Sequence, residues 1–170
     1  MKMRLIVAAA FLAMAAGASA QAPTTVIVVR HAEKMAEPAA DPMLTMAGAN
    51  RVQALAAMLR DAGVSAVITT QYKRTMMTGA ALGIPGEVVD ARAPGHAKLV
   101  ADSVLQKHRG RTVLVVGHSN TVPDIVAALG APKPAPICDE GYDNMFVVTV
   151  PVVGAATVTH LHFGLQTACP

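Results

Sequence analysis

"VLVVGHSNTV", residues 113–122, decides the architecture. Its opening residues are uniformly aliphatic, the pattern of a strand buried on both faces as in a parallel sheet. Gly117 ends the run and His118, Ser119 and Asn120 follow at once. Pro123 then falls in the first turn of a helix, where its missing N–H costs no hydrogen bond. In open sheets of this kind ligands bind beyond the carboxyl ends of the strands, so the polar residues after Gly117 are placed for chemistry.

Working outward, residues 24–29 (TTVIVV) have the same character and end in Arg30-His31. A polar, proline-containing stretch reaches Pro42, and Thr45 then N-caps a helix that runs to about Asp61 and is closed by Gly63. Val52, Leu55, Ala56 and Leu59 recur at helical spacing and predict its buried face. Residues 64–68 read as a second strand. A helix over 72–82 carries Arg74 and is broken by Gly83, Pro85 and Gly86. A short strand at 87–89, a helix over 96–108 and the strand at 111–116 complete the alternation. After a proline-rich loop at 131–136, strands at 145–150 and 156–163 flank Gly154 closely enough to form a hairpin. This order predicts an α/β three-layer sandwich: a mostly parallel central sheet with an antiparallel C-terminal edge hairpin. If the strands ending at Arg30-His31 and at Gly117 are parallel neighbours, two histidines and an arginine meet at one site.

Residues 1–20 combine Lys2 and Arg4 with an apolar run from Leu5 to Ala16 and then Ala18-Ser19-Ala20. That is the pattern of a secretory signal peptide, and it predicts an exported, periplasmic or secreted protein. Nothing later in the chain offers about 18 uncharged apolar residues in a row, so no transmembrane segment is expected after signal removal. Residues 21–170 are expected to form a single domain. Without Lys2 and Arg4 the chain has 12 basic residues against 11 acidic ones, and it has no Trp and few other aromatics. Neither electrostatic attraction to nucleic acid nor stacking on single strands is indicated. Cys138 and Cys169 can pair in an oxidising compartment, or remain as two buried thiols. His160 and His162 share one face of the last strand, but two ligands without a third partner do not predict a metal.

Strand, glycine, histidine, serine, helix is close to the nucleophile elbow of the α/β-hydrolases, with Ser119 as nucleophile. His160 or His162 would then be the base, oriented by Asp139 or Asp143. Thr121 stands where that turn wants a second glycine, and the reading leaves Arg30-His31 without a role.

The competing assembly is Arg30, His31, Arg74 and His118. Four segments carry it in order: "VIVVRHAEK" at 26–34, "LTMAG" at 44–48, "TTQYKRTMMTG" at 69–79 and "VLVVGHSNTV". With the late "YDNMFVVTV" at 142–150, they resemble the histidine phosphatase superfamily, the phosphoglycerate-mutase-like fold, over essentially the whole of residues 21–170. The resemblance implies that His31 is a nucleophile whose ring nitrogen takes a phosphoryl group. It implies that Arg30 and Arg74 give forked, permanently charged hydrogen bonds to that group, and that His118 donates to a nonbridging oxygen. It implies no cofactor.

The resemblance also calls for a carboxylic acid to protonate the leaving oxygen. One branch of the superfamily carries it directly after the second histidine, where this chain has Ser119. The other carries it between the Arg74 helix and the His118 strand, where Glu87, Asp90 and Asp102 are available. Asp90 has the better position, and Glu33 is a further candidate. Ala32 replaces a frequent glycine after the first histidine. Glu37 stands where mutases carry asparagine, and a carboxylate facing the pocket would disfavour multiply charged sugar phosphates. The resulting expectation is an exported phosphomonoester hydrolase acting on a phosphorylated small molecule or envelope component. The alternatives are a phosphate-ligand-binding protein with little turnover, a mutase, and a serine esterase using Ser119.

Overall fold

A computed structural model describes residues 21–169; the expected signal peptide, residues 1–20, lies outside the described residues. Four parallel strands come first: β1 (Thr24–Arg30), β2 (Val64–Thr69), β3 (Gly86–Val88) and β4 (Thr112–Gly117). The helices between and after them are α1 (Met46–Leu59), α2 (Lys73–Gly79), α3 (His96–Lys107) and α4 (Val122–Ala128). Two antiparallel strands close the chain, β5 (Asn144–Val150) on β1 and β6 (Thr157–His162) on β5. The sheet order is β3-β2-β4-β1-β5-β6, an α/β architecture with a mostly parallel sheet and an antiparallel edge pair.

Period-two alternation builds the layers. Val26, Val28, Val113 and Val115 pack with Val100, Val104 and Ile125 of α3 and α4 on one face of the sheet. Ile27, Val29, Leu114 and Val116 pack with Leu55 and Leu59 of α1 on the other. Each fully buried aliphatic side chain of this kind contributes roughly 1.5–3 kcal/mol. No helix among the described residues is long and apolar enough to cross a membrane.

Helix α1 begins as expected, with the Thr45 hydroxyl accepting from the Gly48 amide at 3.1 Å, but its buried line differs. Gly48, Arg51, Leu55 and Leu59 are buried, while Val52 and Ala56 are only half-buried. The periodicity missed Arg51 because a charged residue is buried only when paired, and the pairing is long-range. Its guanidinium grips the Glu33 carboxylate (Nη2 to Oε1, 2.8 Å) and donates to the Phe163 and Leu165 carbonyls, each at 2.8 Å. Gly48 is required because a Cβ there would sit 2.3 Å from the Glu33 carbonyl oxygen. The helix carrying Arg74 is shorter than expected, passing into a 3₁₀ turn at Ala80–Leu82 that Gly83 ends at φ +66°.

The strand order positions the site. β1 and β4 are parallel neighbours with Arg30 level with Gly117, and the His31 amide continues the ladder by donating to the Gly117 carbonyl at 3.0 Å. β2 flanks β4 on the other side, so α2 starts beside His118. A disulfide between Cys138 and Cys169 ties the loop before β5 to the C-terminal tail.

Candidate active site

The ends of β1, β2 and β4 surround an open cup of about 330 Å³, and Arg30, His31, Arg74 and His118 all line it. His31 is only 3% exposed. Its Nδ1 lies 2.8 Å from the Ala32 carbonyl oxygen, which can only accept. Nδ1 therefore carries the hydrogen, and Nε2 keeps its lone pair. Burial pushes the pKa of His31 down to about 3; the bond to Ala32 opposes this, and the charges of Arg30 and Arg74 and the neighbouring His118 reinforce it. The ring is uncharged at neutral pH, with the Nε2 lone pair available. Ala32 is fully buried, its amide donating to the Thr78 hydroxyl (3.0 Å), which donates to the Arg74 carbonyl (2.7 Å). That link ties the His31 loop to α2.

His118 lies edge-on to His31, ring centroids 5.3 Å apart. Its Nε2 is 3.1 Å from the Thr70 hydroxyl, itself 2.8 Å from the Thr75 hydroxyl. Hydroxyls both donate and accept, so this chain holds the ring in either tautomer. Burial lowers the His118 pKa to about 4, with Arg74 as the next cause. Arg30 is buried and donates through Nη1 to the carbonyls of Cys138 (2.8 Å) and Asp139 (2.7 Å), with its guanidinium 4.2 Å above the Tyr142 ring. Arg74 lies 4.2 Å above the Tyr72 ring. The Nε–H groups of both arginines are buried without a protein acceptor, the condition an oxyanion would relieve.

The carboxylates fall elsewhere than expected. Asp90 is exposed and does not line the cup; its Oδ1 accepts from the Gln71 amide (2.7 Å) and the Arg92 backbone N–H (2.9 Å). It caps a turn outside the cup. Glu33 is held in the ion pair with Arg51. Glu87 accepts from Ser103 and Lys107, and Asp102 accepts from Lys98. Glu37 caps the Ala39 amide at 3.0 Å and does not line the cup, so the expectation that it repels multiply charged substrates is withdrawn. The carboxylate that does line the cup, among the described residues, is Asp139, 3.5 Å from the Ser119 hydroxyl and 3.9 Å from Arg30 Nη2.

Ser119 lines the cup without a base. His160 is bonded to Asn144 (2.8 Å) and His162 to Asp143 (3.0 Å) on the edge of the sheet, and neither histidine lines the cup that holds Ser119, which removes the esterase triad. Among the described residues no three His, Cys, Asp or Glu side chains gather as a metal site. Sequence reasoning passed over Thr70, Thr75, Tyr72, Tyr142, Arg92 and Lys34. Tyr72 and the two threonines lie within the quoted "TTQYKRTMMTG" segment, and a short polar run between a buried strand and a helix is itself a signal of a site.

No protein-family model matches the sequence, and no curated protein matches it. Solved structures do. The protein histidine phosphatase SixA, solved with tungstate, superposes with a TM-score of 0.64 over 81% of this chain and 96% of its own, at 19% identity. The chain has the histidine phosphatase fold. YhfR from Bacillus stearothermophilus is 18% identical with a TM-score of 0.61, covering 85% of this chain and 96% of that one. Phosphoserine phosphatase from Entamoeba histolytica, solved with phosphoserine, is 12% identical with a TM-score of 0.61, covering 82% and 96%. In this histidine phosphatase fold the cup lies where three parallel strands end, the place at which open α/β sheets bind ligands.

Proposed function

We propose that the chain is a phosphomonoester hydrolase that forms a phosphohistidine on His31. One observation carries the reading: a neutral imidazole with a free Nε2 shares a cup with two guanidinium groups whose buried Nε–H donors have no protein acceptor. An anionic ester repels nucleophiles, so positioned cations and an uncharged attacking atom are what its hydrolysis needs. Nε2 attacks phosphorus as the bond to the ester oxygen breaks. The leaving oxygen takes a proton from the Asp139 carboxyl group, which replaces Asp90 as the acid within reach. Water then attacks the phosphohistidine, breaking the P–N bond and returning a proton to Asp139, so that inorganic phosphate leaves and His31 is restored.

Names of similarly folded proteins support a phosphorylated substrate: histidine phosphatase and phosphoserine phosphatase. We infer export as well, from the signal-like residues 1–20 and from the Cys138–Cys169 bridge, which fits an oxidising compartment. A phosphorylated envelope component or exported small molecule is then the substrate class.

The competing reading, a phosphate binder with little turnover, is separated by counting. With phenyl phosphate and a metal chelator present, the wild-type chain is expected to release many equivalents of phosphate per chain. Release that stops at one equivalent or fewer would leave only the binding reading. With a phosphoglycerate, free phosphate identifies a hydrolase and an isomeric ester a mutase.

A further inference from the structure

Two cations at the cup are left unused by the phosphoryl chemistry. Arg92, in the turn after β3, and Lys34, three residues past His31, both line it. Arg92 is exposed but not loose. Its Nε donates to the Tyr72 hydroxyl at 3.1 Å, and its guanidinium lies 5.6 Å from the same ring that Arg74 covers at 4.2 Å. Arg74 and Arg92 are therefore no farther apart than those two distances laid end to end, within the reach of one small molecule carrying two anionic groups.

Among the described residues the carboxylate that acts on Arg92 is Asp90, and it ranks behind the Tyr72 hydroxyl in doing so; the other nearby carboxylates are engaged elsewhere. The Asp90 Oδ1 accepts from Gln71 and from the backbone N–H of Arg92. Glu37 caps Ala39, and Glu33 holds Arg51. Asp139 belongs to the side of Arg30 and Ser119. One phosphoryl group is served by Arg30 and Arg74, so the cup has more cationic donors than a simple monoester can use.

We propose that Arg92 and Lys34 form a second anion subsite, and that the preferred substrates are phosphomonoesters whose leaving group carries another anionic group, a carboxylate or a second phosphate. The inference rests on the phosphatase reading above for its first subsite. Guanidinium suits both anions, because its forked N–H groups match carboxylate and phosphate alike. Exposed cations discriminate modestly, so the expected preference is about fivefold at low salt, weakening as salt screens it.

The test compares kcat/KM for 3-carboxyphenyl phosphate and phenyl phosphate, esters that differ by one charge on the same ring. Wild type should favour the carboxylated ester about fivefold, and the Arg92→Gln, Lys34→Gln double variant should bring the ratio to about one. A Lys98→Gln, Lys107→Gln control also removes two positive charges, from α3 and away from the cup, where they pair with Asp102 and Glu87, and should leave the ratio unchanged. No preference in wild type, or a preference that survives the double variant, overturns the proposal. Calorimetric binding of both esters to the His31→Ala variant reads the same ratio without turnover. A ratio that follows Arg92 and Lys34 there supports the subsite even if wild type hydrolyses neither ester, an outcome that would sink the phosphatase reading alone. Equal affinities would sink the subsite.

Discussion

Replacing His31 with alanine is expected to lower kcat for phenyl phosphate at least about a thousandfold while leaving the protein folded. Without Nε2 no covalent route through His31 remains, and neither Ser119 nor His118 is placed to substitute: Ser119 has no histidine base, its hydroxyl facing the Asp139 carboxylate at 3.5 Å, and the His118 Nε2 lies against Thr70. The fold should survive because the His31 backbone, not its ring, joins β1 to β4 through the Gly117 carbonyl. The space vacated opens into the cup. A rise in KM alone, with kcat preserved, would mean that His31 only binds. Ser119→Ala should retain at least about a tenth of the activity. The opposite pair of results would restore the esterase reading.

Acidification from pH 8 to pH 5 is expected to destabilise the protein by about 2 kcal/mol for each of His31 and His118. The unfolded chain binds protons at these residues from about pH 6.5 downward. In the folded state burial holds His31 to about 3 and His118 to about 4. Between those limits the unfolded state carries more protons, so stability rises with pH and is fully present above the unfolded value. It is lost progressively as pH falls, down to the folded values. For a chain of this size the pair corresponds to a fall in Tm of roughly 10 °C. Phosphate or tungstate in the cup should reduce the loss, because an anion favours the imidazolium form. Thermal melts across this range would show it, and a His31→Gln, His118→Gln variant should be nearly flat over the same interval. A wild-type curve as flat as the variant's would mean that both rings are solvated.

Most of the sheet was legible because its strands are nearly uniform aliphatic runs such as 113–116, and that pattern is imposed by burial on both faces. The pairing of β1 with β4 could be stated only as a condition, since nothing local records which strands are neighbours. The four ring and guanidinium groups were legible as an ordered set, Arg30, His31 and His118 at or just past a strand end and Arg74 in the helix that follows β2. The acid was not. Asp90 has the right place in the chain, yet its carboxylate is claimed by the Arg92 backbone N–H of the turn it caps and by the Gln71 side chain from just past the end of β2. Asp139 reaches the cup from a loop more than a hundred residues away from Arg30, carried there by the strand order. Arg51 and Glu33 show the same limit from the other side: Arg51 gave no signal and Glu33 read as a candidate acid, because the C-terminal segment that completes their pairing is more than a hundred residues away from Arg51.

The most direct test of a nucleophilic His31 is to quench the wild-type protein in alkali during turnover of a ³²P-labelled phosphomonoester and to map the label. An acid-labile, alkali-stable phosphoryl group is expected on the peptide containing His31, appearing before free phosphate and absent from His31→Ala. Label on Ser119, or steady turnover with no labelled protein at any time, would contradict it.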